Sequence, residues 1–355
     1  MGSMSATSLT SASPEVGSGA LSLTDSWGRV ARDLRVSLTD RCNLRCSYCM
    51  PPEGLDWLPT EATLSDDEVK RLLRISMTLG IREIRFTGGE PLLRRSLEEL
   101  VAYAHSLRTD EGKAPELSLT TNALGLDKRA AGLAAAGLSR VNISLDSVDP
   151  DVYAHISHRD RLADVLTSID AAIEAGLQPI KVNAVAMRGV NEESLRGLLR
   201  YCLTKGAQLR IIEHMPLGPR NTWNKKTMVP AEEILEILGE EFELSQTSSD
   251  PHAPAKLWSV AAGEDHPAGT VGIIASVSKP FCADCDRTRI TADGQMRDCL
   301  FAKSETDLRT PLRNGSSDEE IAKIWAGAMA KKAAGHGIND PKFIAPDRYM
   351  SAIGG

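Results

Sequence analysis

Six short apolar or β-branched runs alternate with helical segments between residues 34 and 215, and this alternation restricts the possible folds more than any other feature. Between the runs, apolar residues recur about every 3.6 positions; the segment 65–80, for example, has Ser65 as an N-cap and Gly80 as a C-terminal stop. Alternation of this kind predicts parallel strands joined by right-handed helical crossovers. The predicted strands are 34–39, 83–88, 116–121, 140–146, 180–187 and 209–215.

The number of βα units limits the α/β architecture. Six units are too few for a closed eight-stranded barrel, so an open partial barrel and a doubly wound sheet remain as alternatives. Both architectures bind ligands at the carboxyl ends of their parallel strands. Functional residues are therefore expected at or near the ends of the predicted strands.

The same alternation divides the chain into three predicted segments. Residues 1–24 are rich in Ser, Thr, Gly and Ala and have no amphipathic period, which predicts disorder. Residues 25–218 contain the βα units. Residues 219–355 predict a smaller α+β domain, with helices at 230–238 and 317–335 and strands at 255–260 and 270–278.

Charge and hydropathy disfavour several classes of protein. The formal net charge of −7 argues against a general nucleic-acid binder, which would present a basic face to phosphates. The sequence has no run of about 18 apolar residues, so no membrane span is predicted. The first basic residue is Arg29, so the N-terminus lacks the basic start of a secretory signal. These features predict a cytoplasmic protein whose cysteines stay free, bind metal or take part in chemistry. The oligomeric state is left open between a monomer and a homodimer.

Six of the seven cysteines form two groups of three. The first group is Cys42, Cys46 and Cys49 in "CNLRCSYC", directly after the first predicted strand. Separations of four and three residues would align them on one helix face, but the following "MPP" disfavours such a helix. A zinc site would need a fourth ligand, whereas three thiolates suit an iron–sulfur cluster with one open iron. The remaining cysteine, Cys202, is predicted to be buried in a helix.

The second group lies in the C-terminal segment. It consists of Cys282, Cys285 and Cys299. Asp293 and Gly294 are typical of a hairpin turn, and a hairpin there would bring the last cysteine back toward the first two. On a strand of that hairpin Arg287 and Arg289 would point to one side, where two guanidinium groups could grip phosphates. A solvated basic hairpin is the alternative.

The spacing C-x3-C-x2-C closely resembles the signature of the radical SAM superfamily. The sequence "FTGGEP" (86–91), directly after the second predicted strand, resembles the motif with which these enzymes hold the amino group of S-adenosylmethionine (SAM). Gly88 and Gly89 would let the backbone approach closely. The resemblance implies that the first cysteine group ligates a [4Fe–4S] cluster, and that the reduced cluster cleaves SAM to a 5′-deoxyadenosyl radical.

Both cysteine groups together, with "CADCDRTR" and the final "GG", resemble the molybdenum cofactor biosynthesis protein A family, the GTP 3′,8-cyclases, over residues 29–355. The resemblance implies a lyase with an incomplete triosephosphate-isomerase-type (TIM-type) barrel and a second [4Fe–4S] cluster, whose open iron meets the guanine of GTP. The radical would take the 3′ hydrogen of the ribose, and the carbon radical would attack C8 of guanine. The product would be (8S)-3′,8-cyclo-7,8-dihydroguanosine 5′-triphosphate, the first intermediate toward molybdopterin. An external electron donor and a cyclic pyranopterin monophosphate synthase that takes the product are the implied partners.

The resemblance also implies roles for individual residues. The SAM-side residues would be Tyr48, Gly89, Ser144 and Met215. The GTP-side residues would be Arg35, Arg85, Thr120, Lys181, Arg287, Thr288 and Arg289. The catalytic residues would be Arg287, Arg289 and the terminal Gly354 and Gly355, which would reach into the active site. Two positions depart from the family: Asp286 stands where asparagine is common, and Ala123 where glycine is frequent.

Two other functions fit parts of the pattern. A radical SAM peptide-modifying enzyme also carries an auxiliary cluster, although such domains generally contain more cysteines than the three found here. A non-catalytic zinc-binding protein would use the same thiolates without sulfide. Without the resemblance, the residues Arg85, Thr120, Ser144, Lys181 and Met215 would be read as ordinary strand or core residues.

Overall fold

The computed structural model of the chain describes residues 21–219, 223–248 and 250–354. Its first half contains six strands, each of which begins and ends within two residues of a predicted strand. They are β1 (Asp33–Ser37), β2 (Glu83–Thr87), β3 (Glu116–Thr121), β4 (Arg140–Ser144), β5 (Lys181–Ala186) and β6 (Gln208–Glu213).

Helices occupy each crossover between these strands, as the alternation predicts. They are α1 (Asp66–Thr78), α2 (Leu97–Ser106), α3 (Ala130–Ala135), α4 (Pro150–Ser157), α5 (Leu162–Glu174) and α6 (Leu195–Thr204). Helix α1 begins at the predicted N-cap, where Ser65 and Glu68 form a reciprocal capping box. None of the helices in the described residues is long and apolar enough to span a membrane.

The C-terminal region mixes helices and strands. Its helices are α7 (Ala231–Gly239), α8 (Arg309–Arg313), α9 (Asp318–Met329) and α10 (Met350–Ile353). Its strands are β7 (Leu244–Gln246), β8 (Lys256–Val260), β9 (Gly269–Ile274), β10 (Arg287–Ile290), β11 (Gln295–Arg297) and β12 (Thr306–Asp307). The predicted hairpin is present, because β10 and β11 are antiparallel and Gly294 occupies the turn with a φ of 77°.

All twelve strands form one sheet, in the order β12-β11-β10-β1-β2-β3-β4-β5-β6-β9-β8-β7. Strands β1 to β6 follow one another without the reversal of order that defines a doubly wound sheet. The C-terminal region adds β10 parallel to β1 and β9 parallel to β6, so it extends both edges of the same sheet. Between residues 21 and 354, as far as they are described, the two ends of the sheet do not pair. The prediction of an incomplete TIM-type barrel is therefore confirmed.

The N-terminal segment is more ordered than predicted near its end. Residues 1–20 of the predicted disordered segment 1–24 lie outside the described residues. Leu23, however, is fully buried in the hydrophobic core, and Thr24 forms a bridge with Val30. Residues 21–24 are therefore part of the fold, because an apolar side chain that packs in the core contributes about 1.5–3 kcal/mol.

Candidate active site

The first cysteine group lies in the loop that follows the carboxyl end of β1. Cys42, Cys46 and Cys49 are half-buried, and the loop turns through hydrogen bonds from the Cys49 and Met50 amides to the Cys46 carbonyl, at 2.8 and 3.1 Å. The loop contains no helix, so the helix-face interpretation of these cysteines is excluded. Cys202 is fully buried in α6, as predicted.

The glycine motif after β2 holds this loop by close backbone contact. The Gly89 amide donates to the Thr39 carbonyl at 2.7 Å, and the Glu90 amide donates to the Arg41 carbonyl at 2.8 Å. A Cβ atom at Gly88 or Gly89 would overlap carbonyl oxygens of residues 39–41. The two glycines are therefore required for the approach of two backbones, which fixes the start of the cysteine loop.

Glu90 joins the loops after three neighbouring strands, a role that the sequence did not reveal. Its buried carboxylate accepts hydrogen bonds from the Thr121 hydroxyl and the Asn122 amide, both at 2.7 Å. Burial raises the pKa of Glu90 to about 7. The Asn122 side chain in turn donates to Asn43 at 2.7 Å and lies 3.7 Å from the Cys42 sulfur. The cysteine loop is thus anchored to the ends of β2 and β3.

Tyr48, predicted on the SAM side, is held by a buried carboxylate at the end of β4. Its hydroxyl donates to Asp146 at 2.9 Å, and the other oxygen of Asp146 accepts from the Val185 amide at 2.8 Å. Burial raises the pKa of Asp146 to about 6. Asp146 is the last residue of the predicted strand 140–146, so its position at a strand end was a signal that could have identified it.

A cavity of about 270 Å³ lies at the carboxyl ends of the barrel strands. It brings together predicted residues from the first cysteine loop, from the second cysteine group and from six strands or strand ends. These are Arg35, Tyr48, Arg85, Thr120, Ser144, Met215, Cys282, Cys285, Arg287, Arg289 and Cys299. Gly89, Lys181 and Thr288 do not line this cavity, nor do the three cysteines of the first group.

Three arginines in the cavity stand at the same register on adjacent strands. Arg35 on β1 is directly beside Arg289 on β10 and directly beside Arg85 on β2. Burial, and then the charges of Arg85 and Arg289, lower the pKa of Arg35 well below its usual value. The Nε atoms of Arg35 and Arg287 are buried and have no hydrogen-bond partner among the described residues, and Asp33 lies 3.7 and 3.8 Å from these two guanidinium groups. Such a concentration of positive charge fits a ligand with several negative charges.

Two further cations lie around this arginine row, which consists of Arg289, Arg35 and Arg85. Arg210 lines the cavity, and burial followed by the charges of Arg85 and Arg140 lowers its pKa to about 10. The alternation of β6 was the missed signal, since Arg210, Ile212 and His214 all face the cavity. Lys181 lies outside the lining; burial, and then neighbouring arginine charges, lower its pKa to about 7.

The second cysteine group lines the cavity beside these arginines. Cys282 and Cys285 lie on the loop before β10, and Cys299 follows β11, so the hairpin brings the three together. Burial opposes ionisation of Cys285, but the charges of Lys332 and Arg287 hold its pKa below the usual value. In contrast, burial raises the pKa of Cys49 to about 12.

Arg29 fixes the second cysteine loop from the N-terminal side, which no local sequence signal indicates. Its guanidinium donates to the Cys282 carbonyl at 2.6 Å and to the carbonyls of Ala333 and Ala334 at 2.6 and 2.9 Å. Asp25 holds the same guanidinium in an ion pair at 2.5 Å. A segment near each end of the chain therefore meets at this loop.

The donor sets fit iron–sulfur clusters better than a single metal ion. In the described part of the chain, no three His, Cys, Asp or Glu side chains converge closely enough to hold one ion. A structural zinc ion takes four converging ligands, whereas each thiolate of a [4Fe–4S] cluster ligates a different iron and stands farther from the others. The three cysteines of each group therefore fit a four-iron cluster with one open iron.

The carbonyl groups of residues 353 and 354 contact side chains of β1 and β10. Ser37, at the end of β1, donates its hydroxyl to the Ile353 carbonyl at 3.1 Å, and Arg289 donates to the Gly354 carbonyl at 2.5 Å. Gly354 has a φ of 88°, and a Cβ atom there would overlap the Ser37 hydroxyl. Gly355 lies outside the described residues.

Thr288 does not present its side chain to the cavity. Strand β10 alternates, so Thr288 points away from its two arginine neighbours and into the core. Its hydroxyl accepts a hydrogen bond from the indole Nε1 of the fully buried Trp325 at 3.1 Å. Only the backbone of Thr288 remains available on the cavity side.

We therefore expect Thr288→Val to lower stability without changing GTP binding. The substitution leaves the buried Trp325 N–H unpaired, which costs about 1–3 kcal/mol of unfolding free energy. Denaturant unfolding measures this loss, and steady-state kinetics measures KM for GTP. Thr310→Val, the same change on an exposed residue of α8, is the control and should shift stability by less than about 0.5 kcal/mol. A raised KM with unchanged stability would instead place the Thr288 side chain at the nucleotide.

Comparisons with known proteins agree with this geometry. Residues 36–202 match the Radical SAM superfamily, and residues 207–338 match Molybdenum Cofactor Synthesis C. The crystal structure of Streptococcus suis SuiB is similar in fold, with a TM-score of 0.59 at 14% identity over 91% of this chain and 77% of that chain. The same protein bound to S-adenosylmethionine gives a TM-score of 0.57 at 15% identity over 90% of this chain and 76% of that one.

Two curated relatives are much closer in sequence. The GTP 3′,8-cyclase of Corynebacterium glutamicum (strain R) is 61% identical over 338 residues, which cover 94% of this chain and 89% of the relative. The GTP 3′,8-cyclase of Mycolicibacterium smegmatis is 58% identical over 335 residues, which cover 94% of this chain and 92% of the relative. With this identity over nearly its full length, and with both cysteine groups and the arginine row in place, the chain belongs to the GTP 3′,8-cyclase family.

Proposed function

We propose that the chain converts GTP to (8S)-3′,8-cyclo-7,8-dihydroguanosine 5′-triphosphate, the first step of molybdenum cofactor biosynthesis. The observation that carries this proposal is the row of Arg289, Arg35 and Arg85 in a cavity that the second cysteine group also lines. A triphosphate supplies the negative charge that this row lacks. A nucleoside triphosphate could therefore place its phosphates at the arginines and its base toward the cysteines.

The phosphate grip is proposed to include the two arginines of β10. Arg287 and Arg289 are nearly buried, and their guanidinium groups are held at fixed positions. Arg287 donates to the His252 carbonyl at 2.8 Å and stacks over the Phe281 ring at 5.2 Å, while Arg289 donates to Gly354. Because these contacts exist without ligand, little side-chain entropy would be lost when phosphates bind.

The SAM side of the cavity is proposed to lie near the first cysteine loop. Tyr48, Ser144 and Met215 line the cavity there, and Asp146 holds the Tyr48 hydroxyl in place. The first cysteine group would hold a [4Fe–4S] cluster. The chemistry that this cluster and SAM supply when bound is one-electron cleavage of the sulfonium, which provides the radical for hydrogen abstraction from the ribose.

The second cysteine group is proposed to hold a second [4Fe–4S] cluster. Cys282, Cys285 and Cys299 face the cavity, so an iron without a protein ligand would be open to the guanine base. Gly354 and Ile353 close the same end of the barrel through their contacts with Arg289 and Ser37. Enclosure of this kind keeps water and other quenchers away from a carbon radical.

The arginine row also separates this proposal from the peptide-modifying alternative. SuiB from Streptococcus suis has been crystallised with its precursor peptide, and the likeness of 13% identity and a TM-score of 0.53 shows a shared fold alone. A peptide substrate would not require arginines at the same register on three adjacent strands. The side chains of this cavity therefore favour a polyanionic nucleotide.

The substrate proposal is tested by anaerobic incubation of the reconstituted enzyme with SAM, a reductant and GTP. We expect 5′-deoxyadenosine and the cyclised nucleotide to form with GTP, and neither to accumulate with ATP. Chromatography with mass spectrometry measures both products. Formation of 5′-deoxyadenosine with ATP or a peptide, but not with GTP, would reject the proposal, and zinc without sulfide in the purified protein would reject the cluster chemistry.

The proposed reaction also implies a cellular setting. It needs an external one-electron donor and an enzyme of the cyclic pyranopterin monophosphate synthase type that takes the cyclised product. A cytoplasmic location fits, because a reducing compartment keeps the six thiolates free to ligate iron.

A further inference from the structure

Lys332 is a buried lysine whose ammonium lies against the second cysteine group. Its exposed fraction is 3%, and it follows the C-terminal end of α9. Nζ lies 3.3 Å from the Cys285 sulfur and donates to the carbonyls of Arg287 at 2.9 Å and Cys285 at 3.3 Å. The charge therefore touches one cysteine of this group directly.

Among the described residues Lys332 forms no direct ion pair with a carboxylate, although Asp298 lies near enough for the two charges to interact. A buried ammonium without a neutralising partner is costly, and two carbonyl acceptors compensate only part of that cost. A cysteine thiolate, or an anionic cluster bound through it, is the partner that the geometry supplies. The position of Lys332 is thus explained by a negative charge at Cys285.

The two cysteine groups differ in this respect. At the first group, the side chain beside the Cys42 sulfur is the neutral amide of Asn122, at 3.7 Å, and the Arg45 guanidinium donates to the Cys42 carbonyl at 2.9 Å and not to a cysteine sulfur. The reduction potential of an iron–sulfur cluster depends on the net charge around it and on hydrogen bonds to its sulfurs. A fixed positive charge favours the form with one more electron, because that form is more negative.

We propose that Lys332 is a positioning residue that raises the reduction potential of the second cluster through its contact with Cys285. This inference rests on the proposed second [4Fe–4S] cluster. It assigns to Lys332 an electrostatic role beyond support of the loop, and it predicts that the second cluster is easier to reduce than the same cluster without the lysine.

The test is a redox titration of the second cluster, followed by electron paramagnetic resonance. The full-length chain carries Cys42→Ala, Cys46→Ala and Cys49→Ala, so that the signal comes from the second group alone. Into this background we introduce Lys332→Met, which removes the charge, or Lys332→Arg, which keeps it. Lys331→Met is the matched control, because Lys331 is exposed, lies next in the chain and changes the net charge equally.

We expect Lys332→Met to lower the ratio of reduced to oxidised cluster about tenfold at a fixed potential, a negative shift of about 59 mV for one electron. Lys332→Arg should stay near the parent value, and Lys331→Met should not differ from it. If Lys332→Met fails to load iron, Lys332→Gln provides the neutral comparison, because it keeps a hydrogen-bond donor.

Three results would overturn the inference. Equal potentials in all variants that bind about four irons per chain would show that the charge has no effect on the cluster. A shift in Lys332→Arg as large as that in Lys332→Met would show that Lys332 only supports the loop. If the parent chain binds no iron at the second group, there is no second cluster, and that part of the proposed function fails together with the inference. Iron and sulfide assays distinguish this result from the other two.

Discussion

Replacing Cys46 with alanine is expected to reduce 5′-deoxyadenosine formation to background. Cys46 lies in the middle of the first cysteine loop, and its carbonyl accepts the two hydrogen bonds that turn the loop. The substitution removes one of three thiolates, and with only two the cluster loses a ligand that the described residues do not replace. Anaerobic product analysis measures the loss, and iron and sulfide assays should fall by about four irons per chain.

Cys202→Ala is the control for this experiment. Cys202 is fully buried in α6, so its replacement leaves a small cavity and lowers stability by about 1 kcal/mol. It contacts neither cysteine loop, and iron content and 5′-deoxyadenosine formation should remain at the parent level. SAM cleavage that survives in Cys46→Ala would show that the first group does not hold the reactive cluster.

Replacing Gly354 with alanine is expected to lower the rate of GTP cyclisation about a hundredfold while the iron content stays at the parent level. The added methyl group would overlap the Ser37 hydroxyl, and the φ of 88° is unfavourable for alanine. The tail must therefore move away from Arg289, whose guanidinium lies at the proposed phosphate site. Displacement of a positioned group by about 1 Å can cost a factor of this size.

Gly315→Ala separates the backbone effect from the displacement of the tail. Gly315 is exposed with a φ of 80°, and a Cβ atom there would meet no neighbour within 4 Å. This variant should lose about 1 kcal/mol of stability and keep full cyclisation activity. If Gly354→Ala cyclises GTP as fast as the parent, the tail takes no part in arranging the phosphate site.

Much of the fold was predictable because it follows from local periodicity. Strands β1 to β6 and helix α1 appear where their apolar spacing and caps place them, and the turn at Asp293 and Gly294 forms the expected hairpin. The pairing of β10 with β1 was not predictable, because it joins residues about 250 positions apart. No local pattern encodes such a contact.

The residues of the site also divide into those that the sequence predicted and those that it did not. Residues in motifs or at strand ends, such as Arg35 and Tyr48, were identified and do line the cavity. Arg29 and Lys332 were missed, since they act at the second cysteine group from segments that carry no motif. For Thr288 the role at the nucleotide stays a prediction: the alternation that directs the side chains of Arg287 and Arg289 to one side directs the Thr288 side chain to the other, so only its backbone is available there.

The pairing of β10 with β1 sets an order of events during translation. Strand β1 and the first cysteine loop leave the ribosome about 250 residues before β10 is made, so one edge of the nascent barrel stays open during that interval. The second loop is completed only when Arg29 can close onto the carbonyls of residues 333 and 334, so the two cysteine loops take up their final positions at different times during synthesis.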